Sequence, residues 1–386
     1  MSYFSELDTS QYLNELANHF GTQLPCPLIA IDDGYDQQNM AFWTLENGEL
    51  TIGEAKIKSR AKRGRHASSM NMQAKGLYSS EGTDYTVSDS LKYEDTRSDD
   101  YPKTTLNRVL VHAALNSIGV TGGAPVALVT GLPLKEYAPR MGELNERLFE
   151  AKRLNMLTPV YVGVNRQPSA RVCFHGTFPE AVAGIADYLI DNKGNLRDGM
   201  TIESVRMALD IGGKTTDMAV IINGQEVAAM ETYDLGVSNI RERLTALVED
   251  RLDLRLDPIL VDQALNERVV EAFDTRHDVA DLWETAVTEV FSDIFAQAEK
   301  MRRSFPSIKE IVCFGGGAAL AEDVIRNKFP KVSMVANPDG ANARGYLKFA
   351  TLESLEDIRE AVLAYMAEAG IEASAQQDAT AVTEQA

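Results

Sequence analysis

The chain has 386 residues, 44% of them hydrophobic and 25% charged, with a formal net charge of -19. That length supports two domains and the composition is that of a globular protein, while so acidic a field repels phosphate and argues against direct nucleic-acid or anionic-lipid binding. The 3 cysteines (Cys26, Cys173, Cys313) and 5 scattered histidines form neither a disulfide framework nor a metal-ligand spacing, and no apolar run approaches the ~20 residues of a membrane span. Without a basic, then apolar, leader at its start, the chain is expected to be cytoplasmic.

The first 20 residues read as one amphipathic helix. Tyr12, Leu13, Leu16, Ala17 and Phe20 share a face, and Asp8, Thr9 and Ser10 offer cap oxygens. After Pro25 and Pro27, residues 28–31 form a buried strand that stops at Asp32-Asp33-Gly34, and residues 40–43 return as a hairpin. Residues 56–101 are polar and read as loops and short strands. Their basic cluster (Lys56, Lys58, Arg60, Lys62, Arg63, Arg65) reads as a solvated surface, with contact to an acidic neighbour such as a second copy as the other reading.

Between 104 and 118, Leu106, Val109, Leu110, Ala113 and Ala114 trace one helical face. Residues 125–130 are a strand running into Gly131-Leu132-Pro133, 140–155 a charged helix, and 160–164 and 170–174 strands. Phe178-Pro179-Glu180 opens a helix through Leu189, with Pro179 where a missing N–H costs nothing.

A second strand–turn–strand unit then begins. Residues 207–209 run into Asp210-Ile211-Gly212-Gly213, residues 218–222 return, and Asn223-Gly224 signals a further hairpin. Both units share a plan of apolar strand, aspartate, any residue, glycine, about 180 residues apart, which reads as an internal duplication. Helices dominate 238–304, with the clearest apolar stripe at Val287, Val290, Phe291, Ile294, Phe295 and Ala298. Residues 311–314 are a strand ending in Gly315-Gly316-Gly317, followed by a helix over 318–327. Past Tyr365 the composition turns to Ala, Gln, Glu and Thr, and the end of the chain is expected to be disordered.

Glycine in such a turn lets backbone amides approach an anion closely. The aspartates need a cation, because two like charges ~4 Å apart repel by about 4 kcal/mol at an effective dielectric near 20. Asp32 and Asp210 make sense as carboxylates holding Mg2+, largely through its waters, while turn amides bind phosphates. Gly213-Lys214-Thr215 resembles the tail of a P-loop, but the first glycine would fall at Ala208 and a strand follows where a helix is required. Lys214 and Thr215 remain placed to touch a phosphate. Cys313 to Ala318 is a strand feeding a helix through glycines, a junction suited to an anion or a flat ring, yet it does not match the dinucleotide-binding pattern.

The turns Asp32-Asp33-Gly34, Asp210-Ile211-Gly212-Gly213-Lys214-Thr215-Thr216-Asp217 and Gly315-Gly316-Gly317-Ala318 stand in the order of the two phosphate motifs and the adenosine motif of the actin, heat-shock chaperone and sugar kinase superfamily. Within it the chain resembles bacterial actin-like plasmid-segregation proteins of the ParM/StbA type. The resemblance is carried by Ile31 to Gly34, Val129 to Leu134, Pro179-Glu180, Asp234 to Ser238 and Gly345-Tyr346-Leu347. It implies an α/β actin-like ATPase fold, two duplicated ribonuclease H-like domains around a nucleotide cleft. The first domain would be 28–205 with the return of 342–368, the second 206–341, with a helical extension at 1–27 and a disordered tail at 369–386.

The resemblance also implies roles. Asp32 and Asp210 would direct Mg2+; Gly34, Tyr35 and Asp36 would form the first phosphate turn and Gly212, Gly213, Lys214 and Thr215 the second. Glu180 would orient the attacking water, with Asp210 beside it in catalysis. Gly236 and Gly315, Gly316, Gly317 and Ala318 would border base and ribose. Relatives often carry a lysine in the first returning strand; here that stretch reads Gln37-Gln38-Asn39, and Lys214 is placed to compensate.

The function implied is a filament-forming ATPase or GTPase that adds head to tail to itself and segregates plasmid DNA through a basic adaptor at a centromere-like site, with neither direct nucleic-acid contact nor membrane. The alternative is a small-molecule kinase of the same superfamily, against which no sugar-site constellation is visible. A chaperone-like ATPase would need a substrate-binding domain after the ATPase unit. The N-terminal helix, lacking a Lys/Arg face, is expected to pack or to join subunits rather than anchor to a membrane.

Overall fold

The computed structural model describes residues 3–6, 9–66, 76–89, 93–140 and 142–371. Asp8, and the expected tail beyond 371, lie outside the described residues.

Strict alternation of side chains builds two sheets. The first contains β1 (Leu28–Asp33), β2 (Gln37–Glu46), β3 (Glu49–Lys58), β4 (Pro125–Leu132) and β5 (Arg171–Pro179), in the order β5-β4-β1-β2-β3. The second contains β6 (Val205–Ile211), β7 (Thr216–Ile222), β8 (Glu226–Tyr233), β9 (Glu310–Phe314) and β10 (Ser333–Met334), in the order β8-β7-β6-β9-β10. In each, the first strand pairs antiparallel with its hairpin partner and parallel with the strand across the helical crossover. The duplication read from two short turns is thus a duplication of whole sheets, and the fold is the α/β actin-like ATPase fold.

Five layers follow. Inner faces present small residues (Ala30, Ala41, Ala127, Ala208, Ala219) to α4 (Val182–Leu189) and α8 (Ala341–Glu353), which lie between the sheets in one shared core. Ile29 and Ile31 point the other way, onto α2 (Thr105–Ser117) with Met156 of α3 (Glu146–Leu157). Met207, Leu209 and Ile211 face α5 (Val237–Leu252) and α7 (Ala280–Ser304). Alanine on the inner strands is what lets two helices fit between two sheets, because packing at interior density leaves no room for larger side chains on both partners.

The sandwiched helices cross in backbone contact: a Cβ on Gly345 would collide with the carbonyl of Ala183, and one on Gly184 with the Phe314 ring. Beside the crossing, buried Asp187 accepts hydrogen bonds from Lys348 Nζ at 2.6 Å and from Arg344 Nη2 at 2.7 Å. Arg344 reaches on to Glu54 at 2.5 Å.

Several expectations change. The N-terminal helix is two, Tyr3–Glu6 and α1 (Thr9–Phe20); Tyr12, Leu13 and Leu16 of α1 are buried in the shared core, so the extension packs on its own chain. Pro179 ends β5 rather than opening a helix. β5 is an edge strand paired through Pro179 with Leu132, a place where a missing N–H is tolerated. The expected helix over 318–327 is split at Ala321 into Gly316–Leu320 and Glu322–Lys328. The helical stretch 238–304 contains α6 (Pro258–Glu267) and an unforeseen hairpin, Val269–Ala272 with Thr275–Asp278. The strand expected at 160–164 is reduced to Tyr161–Val162, in a small outer sheet with short strands from 61–87 and Gln167–Pro168.

Replacing Asp187 by alanine strands two buried cations. Stability in a guanidinium chloride titration should fall by about 3–5 kcal/mol; a loss below ~1 kcal/mol would show that the ion group does not hold the crossing.

Candidate nucleotide cleft

β1, β4, β6 and β9 all end on one side of the sheets, and their turns face each other there. Asp32, Gly34, Tyr35, Asp36, Glu180, Asp210, Gly212, Gly213, Thr215, Gly315 and Gly316 line one cleft. The two phosphate-type turns nearly touch, since a Cβ on Gly213 would lie 3.0 Å from Asp36 Cβ and 3.2 Å from its backbone nitrogen. In register, Asp32 opposes Asn39 and Asp210 opposes Asp217. Gly315, at φ 91°, passes so close that a Cβ would sit 2.5 Å from Asp210 Oδ1, while Gly316 has open space.

Lys214, Gly236, Gly317 and Ala318 are not among the lining residues. Gly236 backs the second turn: the amides of Val237 and Ser238 donate to the carbonyls of Gly212 and Gly213 at 3.0 and 2.8 Å. Gly317 and Ala318 are buried behind the third turn. Lys214 turns outward, donating to Asp99 at 2.8 Å and lying 5.1 Å from the Tyr35 ring. Three cations do line the cleft, Lys58, Arg241 and Lys152 of α3, and of these Lys152 is buried, donating to Asp33 Oδ1 at 2.9 Å and to the Gly131 carbonyl at 2.5 Å.

Glu180 sits on a strained corner. Ala181 has φ 61° and ψ -47°, and the Val182 amide donates to the Glu180 carbonyl at 2.6 Å. That is the rare form of γ-turn, of a kind that costs about 1–3 kcal/mol and persists where surrounding structure imposes it. Asn342, opening α8, does so: its Oδ1 accepts from the Ala181 amide at 3.2 Å while its Nδ2 donates to Asp210 Oδ2 at 2.6 Å. One side chain therefore sets both Glu180 and Asp210.

The electrostatics are those of crowded, buried acids. Burial first, then Asp210 and Asp33, push Asp32 well above the usual carboxylate range. Burial, with Asp32, Asp217 and Asp210, does the same to Glu180. Asp210 is raised by burial to about 6 despite the Asn342 bond, and Asp217 by burial to about 7, with the Thr232 bond opposing. Lys152 offsets the repulsion at Asp32 and Glu180. Oxygen donors that repel one another suit a hard cation. Among the described residues no three acids, cysteines or histidines are grouped so as to hold a metal ion by themselves.

At the rim, Asp262 of α6 accepts from Lys58 Nζ, Arg60 Nη2 and Arg241 Nη1, each at 2.6 Å, and Arg241 reaches Asp36 at 3.3 Å. Burial would raise Asp262, yet the bonds from Arg60, Lys58 and Arg241 hold it well below the usual range. Lys56 donates to Asp339 at 2.6 Å. Half of the basic cluster read as solvated surface thus pairs with acids distant in the same chain, Lys58 and Arg60 with Asp262 and Lys56 with Asp339.

The amino-terminal part of the chain, residues 28–189, matches the family model "Plasmid segregation protein ParM, N-terminal", and residues 208–327 match "Archaeal actin homologue MreB-like, C-terminal". No curated protein matches the sequence. An archaeal actin homologue has a similar structure at 17% identity and TM-score 0.64, with 85% of this chain and 100% of that one covered. A 15-stranded ParM filament from Clostridium botulinum is similar at 20% identity and TM-score 0.61, covering 84% and 98%. Bacillus thuringiensis ParM with ATP is similar at 16% and 0.61, covering 86% and 100%.

Replacing Asp262 by alanine leaves Lys58, Arg60 and Arg241 facing one another. Small-angle scattering should report a larger radius of gyration for this variant, from a wider cleft; a curve identical to that of the native chain would show that the rim pairs do not hold it.

Proposed function

We propose that the chain is a ParM-like, actin-like protein, a nucleotide-dependent, filament-forming ATPase or GTPase that segregates plasmid DNA through an adaptor protein. The observation that carries the reading is the pair of glycine turns facing each other over Asp32, Glu180, Asp210 and Asp217 in one cleft. The amides of Gly34 to Asp36 and of Gly212 to Thr215 would hold the phosphates. Asp32 and Asp210 would hold Mg2+ through its waters, and the ion, when bound, neutralises charge on the phosphate oxygens. Glu180, fixed by its γ-turn, would accept a hydrogen bond from the attacking water and take its proton. Gly315 and Gly316 would border ribose and base, with Gly236, Gly317 and Ala318 supporting them from behind.

Residues 28–205 with the return of 342–368 would move as one domain and 206–341 as the other, closing on nucleotide through the rim pairs of Asp262. Closure would favour head-to-tail addition of further copies, and hydrolysis would release them. Net charge of -19 suits a basic, DNA-binding adaptor at a centromere-like site better than DNA itself, in the cytoplasm. Among the described residues no helix is long and apolar enough to cross a membrane.

Light scattering and pelleting with Mg·ATP or Mg·GTP should show assembly that decays as nucleotide is consumed. Glu180→Ala should assemble but release phosphate at least about tenfold more slowly; normal turnover in that variant would remove Glu180 from the role.

A further inference from the structure

The two phosphate-type turns are copies of one conformation. A Cβ on Gly34 would lie 3.0 Å from the Gln37 carbonyl oxygen, and one on Gly212 would lie 3.0 Å from that of Thr215. The likeness extends to two successive carbonyls in each turn, that of the glycine and that of the residue after it. In the second turn the backbone holds both: the Val237 amide donates to Gly212 at 3.0 Å and the Ser238 amide to Gly213 at 2.8 Å. In the first turn side-chain hydroxyls take over. Ser59 Oγ donates to the Gly34 carbonyl at 2.7 Å, and Thr96 Oγ1 to that of Tyr35 at 2.6 Å. Gln38 Nε2 donates to Ser59 Oγ at 2.9 Å and so turns its hydroxyl proton toward Gly34.

A trans peptide points its carbonyl and the next amide in opposite directions, and no peptide bond among the described residues is cis. Ser59 and Thr96 are not among the residues lining the cleft. Each therefore draws its carbonyl away from the cleft and turns the following amide, of Tyr35 or Asp36, into it. The Asp36 amide nitrogen accordingly faces the second turn, 3.2 Å from where a Cβ on Gly213 would stand. Ser59, Thr96 and Gln38 are all buried, and the first two have ion pairs beside them. Ser59 lies between Lys58 and Arg60, both paired with Asp262 of α6, and Thr96 precedes Arg97, which pairs with Glu242 of α5. α5 also begins with the two amides that hold the second turn, so one helix bears on both turns.

Resting on the nucleotide reading, we infer that Ser59 and Thr96 are positioning residues of the first phosphate turn. By holding the Gly34 and Tyr35 carbonyls they aim the Tyr35 and Asp36 amides at the phosphates, as the Val237 and Ser238 amides do for the second turn. Neither side chain touches the ligand. What they serve is recognition of the polyphosphate, not of base or sugar.

Thr96→Val keeps the shape of the side chain and loses the donor, whereas Thr96→Ser keeps the hydroxyl. Isothermal titration with Mg·ATP and Mg·GTP should show Thr96→Val weakened at least about tenfold and Thr96→Ser close to native. Saturation-transfer NMR with adenosine and guanosine should show nucleoside affinity unchanged in both variants. Triphosphate affinity within about twofold of native in Thr96→Val would overturn the positioning role and leave the nucleotide reading standing. So would equal losses for triphosphate and nucleoside, or a Thr96→Ser variant as weak as Thr96→Val, because the hydroxyl would then not be acting through the phosphates. A native chain that binds neither Mg·ATP nor Mg·GTP overturns both.

Discussion

The structure depends on one close crossing. α4 and α8 meet where Gly345 lies against the Ala183 carbonyl, nearer than any side chain allows. Each helix belongs to both halves of the molecule. α4 continues from β5 of the first sheet yet receives Phe314 of the second against Gly184. α8 packs on the first sheet while its Asn342 reaches Asp210 of the second. The position of the cleft carboxylates therefore follows from how closely two backbones approach, and Asp187 with Arg344 and Lys348 keeps the polar cost of that approach low by pairing every charge it buries.

Above the crossing the balance is of another kind. Asp32, Glu180, Asp210 and Asp217 repel one another across the cleft, and burial deepens the penalty. The rim pulls in the opposite sense, with Asp262 accepting from Lys58 and Arg60 at the end of β3 and from Arg241 of α5. Interior repulsion and rim attraction act on the same opening, so a cation entering between the acids changes the sign of the interior contribution while leaving the rim as it is. Lys152 already does part of this on the first-sheet side by pairing with Asp33.

What was legible in the sequence was local. The two strand–Asp–x–Gly units, the third glycine turn and α2 each announce themselves through period and turn chemistry within a dozen or so residues. Lys152, Asn342, Arg241 and Asp262 do not, because each lies on a helix whose own pattern reads as an ordinary charged or mixed face, and its meaning arises only when a distant strand arrives. Over a hundred residues after Gln37-Gln38-Asn39, Lys152 of α3 brings a buried cation to Asp33, while Lys214 pairs with Asp99. The hairpin at Val269–Asp278 stayed hidden for a different reason: its turn is Phe273-Asp274, without the Asn or Gly that marks such turns. Basic residues at 56–60 read as surface because nothing in that segment shows that the partner, Asp262, belongs to the same chain.

The duplication also explains where symmetry ends. Identical strand order and sense bring the two turns face to face, and backbone alone accomplishes that. Chemistry then departs from the plan at equivalent positions. Opposite Asp32 stands the neutral Asn39, and opposite Asp210 stands a second acid, Asp217, steadied by Thr232 at 2.5 Å. The first turn has a buried lysine at its base; the second has an asparagine that also fixes the γ-turn under Glu180. A symmetric frame thus carries an asymmetric charge distribution, in which Lys152 eases Asp32 and Glu180 while Asp210 and Asp217 are eased by hydrogen bonds from Asn342 and Thr232.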